Sequence, residues 1–148
     1  MANHLRRQIR EAIATAVTGL SSTGARVFQS RVYPLETTDL PGLLIYTGNE
    51  IVAVTTIHGP AVLDRTLTIR VVGVVRTTAD LDDALDQIAK EVEVAVAGMS
   101  LAGLAESIAL TEIQEPELTG TSEQPTGQIT MSFEVNYFTE VNAPDVAL

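Results

Sequence analysis

An alternating pattern near the end of the chain constrains the fold most strongly. Within residues 127–139, apolar and polar side chains take turns, and because successive strand side chains point to opposite faces, this pattern predicts a strand with one buried face. The apolar positions are Ile129, Met131, Phe133, Val135 and Tyr137. A polar loop precedes the strand, and residues 119–140 contain no histidine, cysteine or basic residue. The sequence therefore predicts a core strand that follows a loop without obvious catalytic chemistry.

Two amphipathic helices are predicted, over residues 3–20 and 80–97. Each has apolar residues at the three- and four-residue spacing of one helix face. The first stripe is Leu5, Ile9, Ala12, Ile13, Ala16, Val17 and Leu20, and the second is Leu81, Leu85, Ile88, Val92, Ala95 and Val96. Thr78 or Asp80 is the expected N-cap of the second helix. The helix dipole favours acidic residues at this end, where Asp80, Asp82 and Asp83 lie.

The remaining apolar segments predict strands. They cover residues 26–33, a hairpin over residues 43–57 that turns at "GNE", a long strand at residues 65–76 in which Gly73 marks a bulge, and residues 106–114 before the final strand. Sequential strands joined by short turns favour antiparallel pairing. The sequence thus predicts an α+β fold: a single two-layer domain, a mostly antiparallel sheet with two amphipathic helices on one face.

One domain is expected to span residues 1–148, with residues 141–148 as a flexible C-terminal tail. No apolar run is long enough to cross a membrane, and the N-terminus lacks the apolar segment of a signal peptide. The chain has no cysteine, which excludes disulfides, thiol catalysis and zinc–thiolate sites and fits a cytoplasmic origin.

Charge is distributed unevenly along the chain. The net charge of −10 argues against a general nucleic-acid binder. Residues 1–79 hold eight Lys/Arg and five Asp/Glu, giving +3, whereas residues 80–148 hold one Lys and fourteen acids, giving −13. Such asymmetry suits a subunit that meets copies of itself or other partners through oppositely charged faces. A solvated acidic surface that keeps the protein soluble is the open alternative.

No motif in the sequence predicts a catalytic, metal or cofactor site. The segment "GLSSTGAR" lacks the Lys and Ser/Thr of a phosphate-binding loop, and "DLDDALD" lacks the ligand spacing and glycine of a calcium loop. His4 and His58 are the only histidines, too few for a histidine metal pair, and no nucleophile elbow is present. We therefore expect no enzyme activity and no bound cofactor.

Charged residues in and beside the predicted strands are the candidate interface residues. They are Arg31, Arg65, Arg70, Arg76, Glu115, Glu117 and Glu123. Arginine is well suited to ion pairs at interfaces. The acidic partners of these arginines belong either to the same chain or to a neighbouring subunit, and we favour the neighbour. The glutamates lie in or beside the polar loop, which we expect to act in docking.

The linear order of these segments resembles the tail terminator proteins of long-tailed, lambda-like bacteriophages, also called tail completion or minor tail proteins. The resemblance rests on "LRRQIREAIATAV", on "RVFQSRVYPLETTDLPGLLIYTGNE", on "LTIRVVGVV", on "ADLDDALDQIAKEVEVAV" and on the closing "ITMSFEVNYFTE". It covers nearly the whole chain as a pattern of segments, without a catalytic signature.

The resemblance implies a structural virion protein that forms a ring, typically a homohexamer, at the head-proximal end of the tail tube. Such a ring stops tube polymerisation and provides the head-joining surface. The implied partners are the chain itself, the major tail tube protein and a head-completion or stopper protein. DNA only passes through the lumen, no membrane is involved, and assembly takes place in the cytoplasm of the host bacterium.

Other functions remain open on the sequence. A different head–tail connector or tail component is the nearest alternative. A small enzyme with an acidic site, or a module that binds one protein partner, belongs to a different class.

Overall fold

The described residues of the chain form two helices and six strands. The structure, a computed structural model, describes residues 2–29, 40–77, 80–119 and 125–148. The elements are α1 (Leu5–Ala16), β1 (Val27–Phe28), β2 (Gly42–Val54), β3 (Val62–Arg76), α2 (Leu81–Ala97), β4 (Ser107–Ile113), β5 (Glu117–Thr119) and β6 (Thr126–Glu140). This composition confirms the predicted α+β class.

The strands form one mixed but mostly antiparallel sheet in the order β1-β2-β3-β6-β4, and β5 also pairs with β6. β1 runs parallel to β2, whereas the other pairs are antiparallel. β3 and β6 form the centre and pair without a register shift from Val62↔Glu140 to Arg76↔Thr126. The final strand of the chain is thus held on both sides by other strands.

Both helices contribute to one core on one face of the sheet. The five apolar residues that alternate along β6, from Ile129 to Tyr137, are all buried, as the sequence predicted. They pair with odd-numbered residues of β3, which point the same way. α1 packs on β2, and α2 packs on β3 and β6. The alternation therefore supplies the sheet side of the core.

Gly73 lies in this packed layer, not at a bulge. The β3–β6 register is unbroken at Gly73↔Ile129. A Cβ at Gly73 would lie 2.8 Å from Cγ2 of Ile88 on α2. Glycine is therefore required here by the close approach of the helix, and the predicted bulge at this position is wrong.

The predicted hairpin at residues 43–57 is also wrong. β2 continues through "GNE" as one strand, with a register shift against β3 between Thr47 and Glu50. The bulge accommodates one extra residue in β2 and leaves the strand direction unchanged. The real hairpin joins β2 to β3 through residues 55–61, and the backbone N–H of Thr55 donates to the carbonyl of Val62 at 2.9 Å.

The helix bounds differ slightly from the prediction. α1 ends at Ala16, and its N-cap is His4, whose side chain accepts from the backbone N–H of Arg6. α2 begins after Asp80, which has φ 51° and makes no side-chain capping hydrogen bond. The predicted capping role of Asp80 is therefore wrong in its chemistry, although its position is right. Thr78 lies outside the described residues.

Two further differences concern the edges. The polar loop before β6 contains the short strand β5, whose Leu118 pairs with Gly127. At the other edge, β1 is the described part of the strand predicted for residues 26–33, and residues 30–33 lie outside the described ranges.

The last eight residues make backbone contacts with the domain. The N–H of Leu5 donates to the carbonyl of Pro144 at 2.9 Å, and the N–H of Leu148 donates to the carbonyl of Phe138 at 3.1 Å. Ala147 packs against the core. The structure thus places residues 141–148 against α1 and β6, whereas the flexibility predicted from the sequence is a property that contacts do not measure.

Candidate assembly surfaces

The two histidines lie in different parts of the fold, His4 at the start of α1 and His58 in the loop between β2 and β3. In the described ranges, no three His, Asp or Glu side chains are grouped so that they could hold a metal ion. Nδ1 of His4 accepts from the backbone N–H of Arg6 at 3.1 Å, and this bond requires an unprotonated nitrogen. Partial burial of the ring and the nearby Arg65 guanidinium hold the pKa of His4 below its usual range. His58 is exposed in the loop between β2 and β3.

Arg65, a candidate interface residue, is instead the centre of a buried polar cluster. Its residue exposure is 8%. Its Nε donates to Oγ1 of Thr139 at 3.0 Å, and its Nη1 donates to Oε2 of Glu50 at 3.2 Å. The Glu50 carboxylate also accepts from the Tyr137 hydroxyl, and the guanidinium carbon lies 5.8 Å from the centroid of the Tyr137 ring. Arg65 therefore has a hydrogen-bond partner and an ion-pair partner within its own chain, and its role at an interface stays a prediction.

The alternation of apolar and polar residues in β3 could have predicted that Arg65 points to the helix face. Arg65 has the same parity as Leu67, and both side chains point to the helix face. Its partner Glu50 could not have been found in this way, because the register shift between Thr47 and Glu50 breaks the parity of β2. The cluster therefore links the part of β2 after the bulge, through Glu50, to β3 and β6.

The electrostatics of the cluster give Tyr137 a predicted effect on stability at high pH. Burial and the adjacent Glu50 carboxylate raise the pKa of Tyr137 above its ordinary value near 10. The folded state then keeps the phenol proton at a pH where the unfolded state releases it. The free energy of unfolding should therefore fall as pH rises above about 10, with a slope of up to about 1.4 kcal/mol per pH unit from this group.

Urea titrations between about pH 8 and 11 measure this slope. The Tyr137→Phe variant should show a shallower decline than the wild type, since the other two tyrosines remain in both proteins. Equal slopes for the two proteins would contradict the assignment.

Arg70 and Arg76 have a different setting. Arg70 lies on the sheet face opposite the helices, the open face, where it pairs across the strands with Tyr46 and Ser132. Its guanidinium lies against Gly48, with Nη1 at 2.7 Å from the position of a Cβ there. Among the described residues, no carboxylate forms an ion pair with Arg70. Arg76 is exposed at the end of β3.

The open face is not uniformly wet. Thr66 and Thr68 are half-buried, whereas Val72 and Val74 are 4% and 6% exposed. Burial of the open face therefore differs along β3, and the face is most buried at Val72 and Val74.

The candidate acidic residues lie at the opposite edge from α1. Glu115 is exposed after β4, and Glu117 in β5 accepts from Nε2 of Gln128 at 2.9 Å. Glu112 in β4 likewise accepts from an amide, that of Gln114, at 3.2 Å. Glu117 and Glu112 thus have neutral donors as hydrogen-bond partners. Arg31 and Glu123 lie outside the described residues, so the structure does not place them.

The structure separates basic and acidic residues onto the two edges of the sheet. Among the described residues, the β1–β2 edge with α1 carries four arginines and two glutamates: Arg6, Arg7, Arg10, Arg26, Glu11 and the buried Glu50. Residues 81–97 and 107–119, which form α2 and the β4–β5 edge, carry eight acids and one lysine: Asp82, Asp83, Asp86, Glu91, Glu93, Glu112, Glu115, Glu117 and Lys90. Of these, Glu91 faces the segment after α1, where its carboxylate accepts from the N–H and the hydroxyl of Ser22. The charge asymmetry of the sequence therefore becomes an asymmetry between two sides of the domain.

Each edge also exposes an apolar surface that the sequence analysis missed. On the β2 side, the segment of residues 51–61, here called the arm, is exposed along its whole length apart from Ala61. Its large apolar side chains have exposures of 73%, 46%, 63% and 86%; they are Ile51, Val52, Val54 and Ile57. The sequence predicted "IVAVTTI" as the second strand of a hairpin, whereas the structure places its first residues in the exposed end of β2, beyond the bulge.

On the β4 side, a groove of about 370 Å³ runs between the C-terminal half of α2 and β4. Its walls are mainly apolar and include Val94, Met99, Ile108 and Leu110, with Glu93 at the charged margin. Val94 is 67% exposed and Leu110 is 36% exposed. In the described ranges, β4 pairs with β6 on one side and with no strand on the other. The groove therefore borders an unpaired strand edge.

Comparisons with known proteins give limited information about identity. No protein-family model matches the chain, and no curated protein matches it. Among solved structures, a chain from the virion of a native gene transfer agent particle is similar, with 17% identity and a TM-score of 0.42. The match covers 90% of this chain and 92% of that chain. An identity and a TM-score this low do not establish a shared family. The described part of the chain also contains no helix with the length and hydropathy to span a membrane.

Proposed function

We propose that the protein is a structural virion component that forms a ring at the head-proximal end of a phage-type tail tube. The observation that carries the proposal is the separation of charge and exposed apolar surface onto two opposite edges of one sheet. A subunit with two different, complementary edges forms head-to-tail contacts, and such contacts close into a ring when the rotation between subunits permits. The segment pattern of the tail terminator proteins, to which the sequence is similar, suggests a hexamer.

The organisation of charged groups supports an assembly role over a catalytic one. The most buried titratable cluster, Glu50, Arg65 and Tyr137, is internally paired and lies within the core of the sheet. Catalytic carboxylates usually act together with a histidine or a basic group, whereas the described residues of α2 and β4 include no histidine and, apart from Lys90, no basic residue. We therefore assign the carboxylates of α2 and β4 to protein contacts.

In this proposal, the ring binds the last layer of the major tail tube protein on one side and a head-completion protein on the other. An acidic surface towards the lumen would let DNA pass without being retained, since phosphate binding needs Lys or Arg. The function is tested by whether the protein stops a polymerising tail tube.

Self-assembly should depend on Arg70. In the proposed ring, the acidic edge of the next subunit also contacts the open face at Arg70. We therefore expect Arg70→Glu to weaken ring formation at least about tenfold in concentration, because the reversal would bring carboxylates together at that contact. Arg76→Glu should act in the same direction. Sedimentation velocity or native mass spectrometry measures the ring population, and circular dichroism checks that the fold is intact.

The matched control is Lys90→Glu, which makes the same change of charge on the acidic edge. We expect Lys90→Glu to leave the ring population close to that of the wild type, because Lys90 lies on the acidic edge and contributes little to the basic contact surface. Wild-type assembly by both Arg70→Glu and Arg76→Glu would remove the open-face arginines from the interface.

A further inference from the structure

The groove between α2 and β4 is bordered by a strand edge that is open to pairing. Residues 107–110 form the part of β4 that lies before its register shift between Leu110 and Glu112. They include neither proline nor a charged residue, the two residue types that commonly block pairing at a sheet edge. In the described ranges, no strand lies on their outer side. An extended segment of another molecule can therefore add here as a further strand.

The helix face of this edge is apolar. Ile108 and Leu110 point to that face, because they pair with the buried Val135 and Phe133 of β6. Val94 of α2 belongs to the opposite wall of the groove. In a strand, every second side chain points to the same face. The groove can therefore bury the apolar side chains from alternate positions of an added strand.

The open face of the same edge is acidic. Glu112 pairs with Ser132, and Ala109 pairs with Glu134, so these residues lie on the open face. Glu134 is exposed, and the small Ala109 beside it leaves its carboxylate accessible from the edge. Within the described part of the chain, no Lys or Arg forms an ion pair with Glu112 or Glu134. The side chains of an added strand that point to the open face therefore meet carboxylates that have no cation.

The chain places no basic side chain among these acids. Residues 91–148 contain ten acids and no Lys, Arg or His. Glu93 adds a further carboxylate at the margin of the groove. Lys90 lines a separate depression between α2 and residues 19–21. The groove and its edge therefore favour a cationic occupant, whose apolar side chains face the helix side and whose basic side chains face the other side.

The described residues of this chain offer no free segment of that kind. The arm is exposed and extended, but it carries no charged residue. The arginines of β3 lie in a strand that is paired on both sides, and those near the N-terminus lie in α1. Arg26 donates to the carbonyls of Pro41 and Ser22 in its own chain. The described surfaces of a second copy therefore do not supply the occupant.

We infer that the groove and the edge of β4 bind an extended segment of another protein in which apolar side chains alternate with Lys or Arg. The segment adds to residues 107–110 as a strand, its apolar side chains enter the groove, and its basic side chains lie beside Glu112 and Glu134. This contact is additional to the one between ring subunits. It uses the end of the acidic edge at the C-terminal half of α2, whereas Asp82 and Asp83 lie at the other end, beside β5.

Two peptides of equal composition and charge test the contact. The alternating peptide is Lys-Val-Lys-Val-Lys-Val-Lys, and the block peptide is Lys-Lys-Val-Val-Val-Lys-Lys. Fluorescence anisotropy of the labelled peptides measures their binding to the folded protein at physiological salt. We expect the alternating peptide to bind at least about tenfold more tightly, because only its strand places all the valines on one face. Hydrogen exchange at residues 107–110 should slow when it binds, since an added strand pairs with their outer backbone groups.

Variants of the groove locate the binding site. Val94→Lys and Leu110→Lys each place an ammonium group in the wall of the groove, and Val94 is exposed enough for its replacement to leave the fold intact. Each should weaken binding of the alternating peptide at least about tenfold, because like charges then meet. The matched control is Ile57→Lys, which makes the same change at an exposed apolar residue of the arm. It should bind like the wild type, and circular dichroism checks all three folds.

The other outcomes each contradict the inference. Equal affinity for the two peptides would show attraction by net charge alone. An equal loss for Val94→Lys and Ile57→Lys would show that the peptide does not bind in the groove. Rings lost in Val94→Lys, together with no binding of the alternating peptide to the wild type, would show that a second copy fills the groove. A wild-type protein that forms rings and does not bind the peptide would contradict this inference and leave the proposed function standing.

Discussion

Replacing Arg65 with alanine is expected to lower the free energy of unfolding by about 3–5 kcal/mol. The reason is the state in which the change leaves Glu50, whose side chain is 8% exposed in the pair with Arg65. A buried carboxylate without its cation has lost its hydration and its compensating charge. The hydroxyl of Thr139, which is fully buried, loses the Nε donor as well. Because native domains have total stabilities of about 5–15 kcal/mol, this single change should threaten the fold.

Urea denaturation followed by circular dichroism measures the loss. Arg7→Ala is the matched control, because Arg7 also forms an ion pair with a glutamate, at 2.7 Å, but with side chains that are 56% and 41% exposed. An exposed pair of this kind contributes about 0–1 kcal/mol. The difference between the two losses in free energy of unfolding gives the effect of burying the ion pair, because both variants remove one.

A double variant separates the loss of the pair from the loss of packing. Glu50→Gln with Arg65→Met removes both charges, keeps an acceptor for the Tyr137 hydroxyl and preserves much of the side-chain volume. It should recover most of the stability that Arg65→Ala loses, since removal of both charges leaves neither of them unpaired. A loss below about 1 kcal/mol for Arg65→Ala would contradict the assignment of this cluster as a structural element.

The part of the fold that local patterns determine could be predicted from the sequence. The alternation from Ile129 to Tyr137 predicts the strand and its buried face because β6 is regular over its whole length. The apolar stripe of α2 likewise predicts a helix within one residue of its observed start. In these elements the periodicity of the sequence and the geometry of the structure coincide.

The structure differs from the sequence prediction where one bulge in β2 changes the sheet face to which the following side chains point. The bulge between Thr47 and Glu50 keeps β2 continuous, moves Glu50 to the helix face and leaves Ile51 at an exposed edge. Gly and Asn in "GNE" are typical both of a turn and of a bulge, so the local sequence does not distinguish them. The arm and the buried pair of Glu50 both depend on this one shift.

The candidate assembly surfaces also could not be predicted from local patterns, because each is formed by residues that are far apart in the sequence. Val94 on α2 and Leu110 on β4 form one groove only because β4 pairs with β6 at the far edge of the sheet. The charge asymmetry along the sequence predicted opposed faces, and the strand order determines that these faces are the two edges. The role of those edges in a ring follows from the proposal and is open to direct measurement.

The protein should shorten tail tubes when it is present during their assembly. A ring that binds the growing end blocks addition of the next tube layer, so a stoichiometric excess of rings over growing ends should stop elongation. The tubes are assembled from the major tail tube protein of the same virion, and negative-stain electron microscopy measures their lengths. An unrelated acidic protein at the same concentration controls for charge, and the Arg70→Glu/Arg76→Glu variant controls for assembly of the ring itself.

The most direct measurement of the central claim is the appearance of the tube ends in the same images. The account predicts that wild-type protein produces short tubes of narrow length distribution with a ring at one end, whereas the double arginine variant leaves the tubes long and uncapped. Tubes of unchanged length with no ring at either end, in the presence of folded wild-type protein, would contradict the claim that this protein terminates a tail tube.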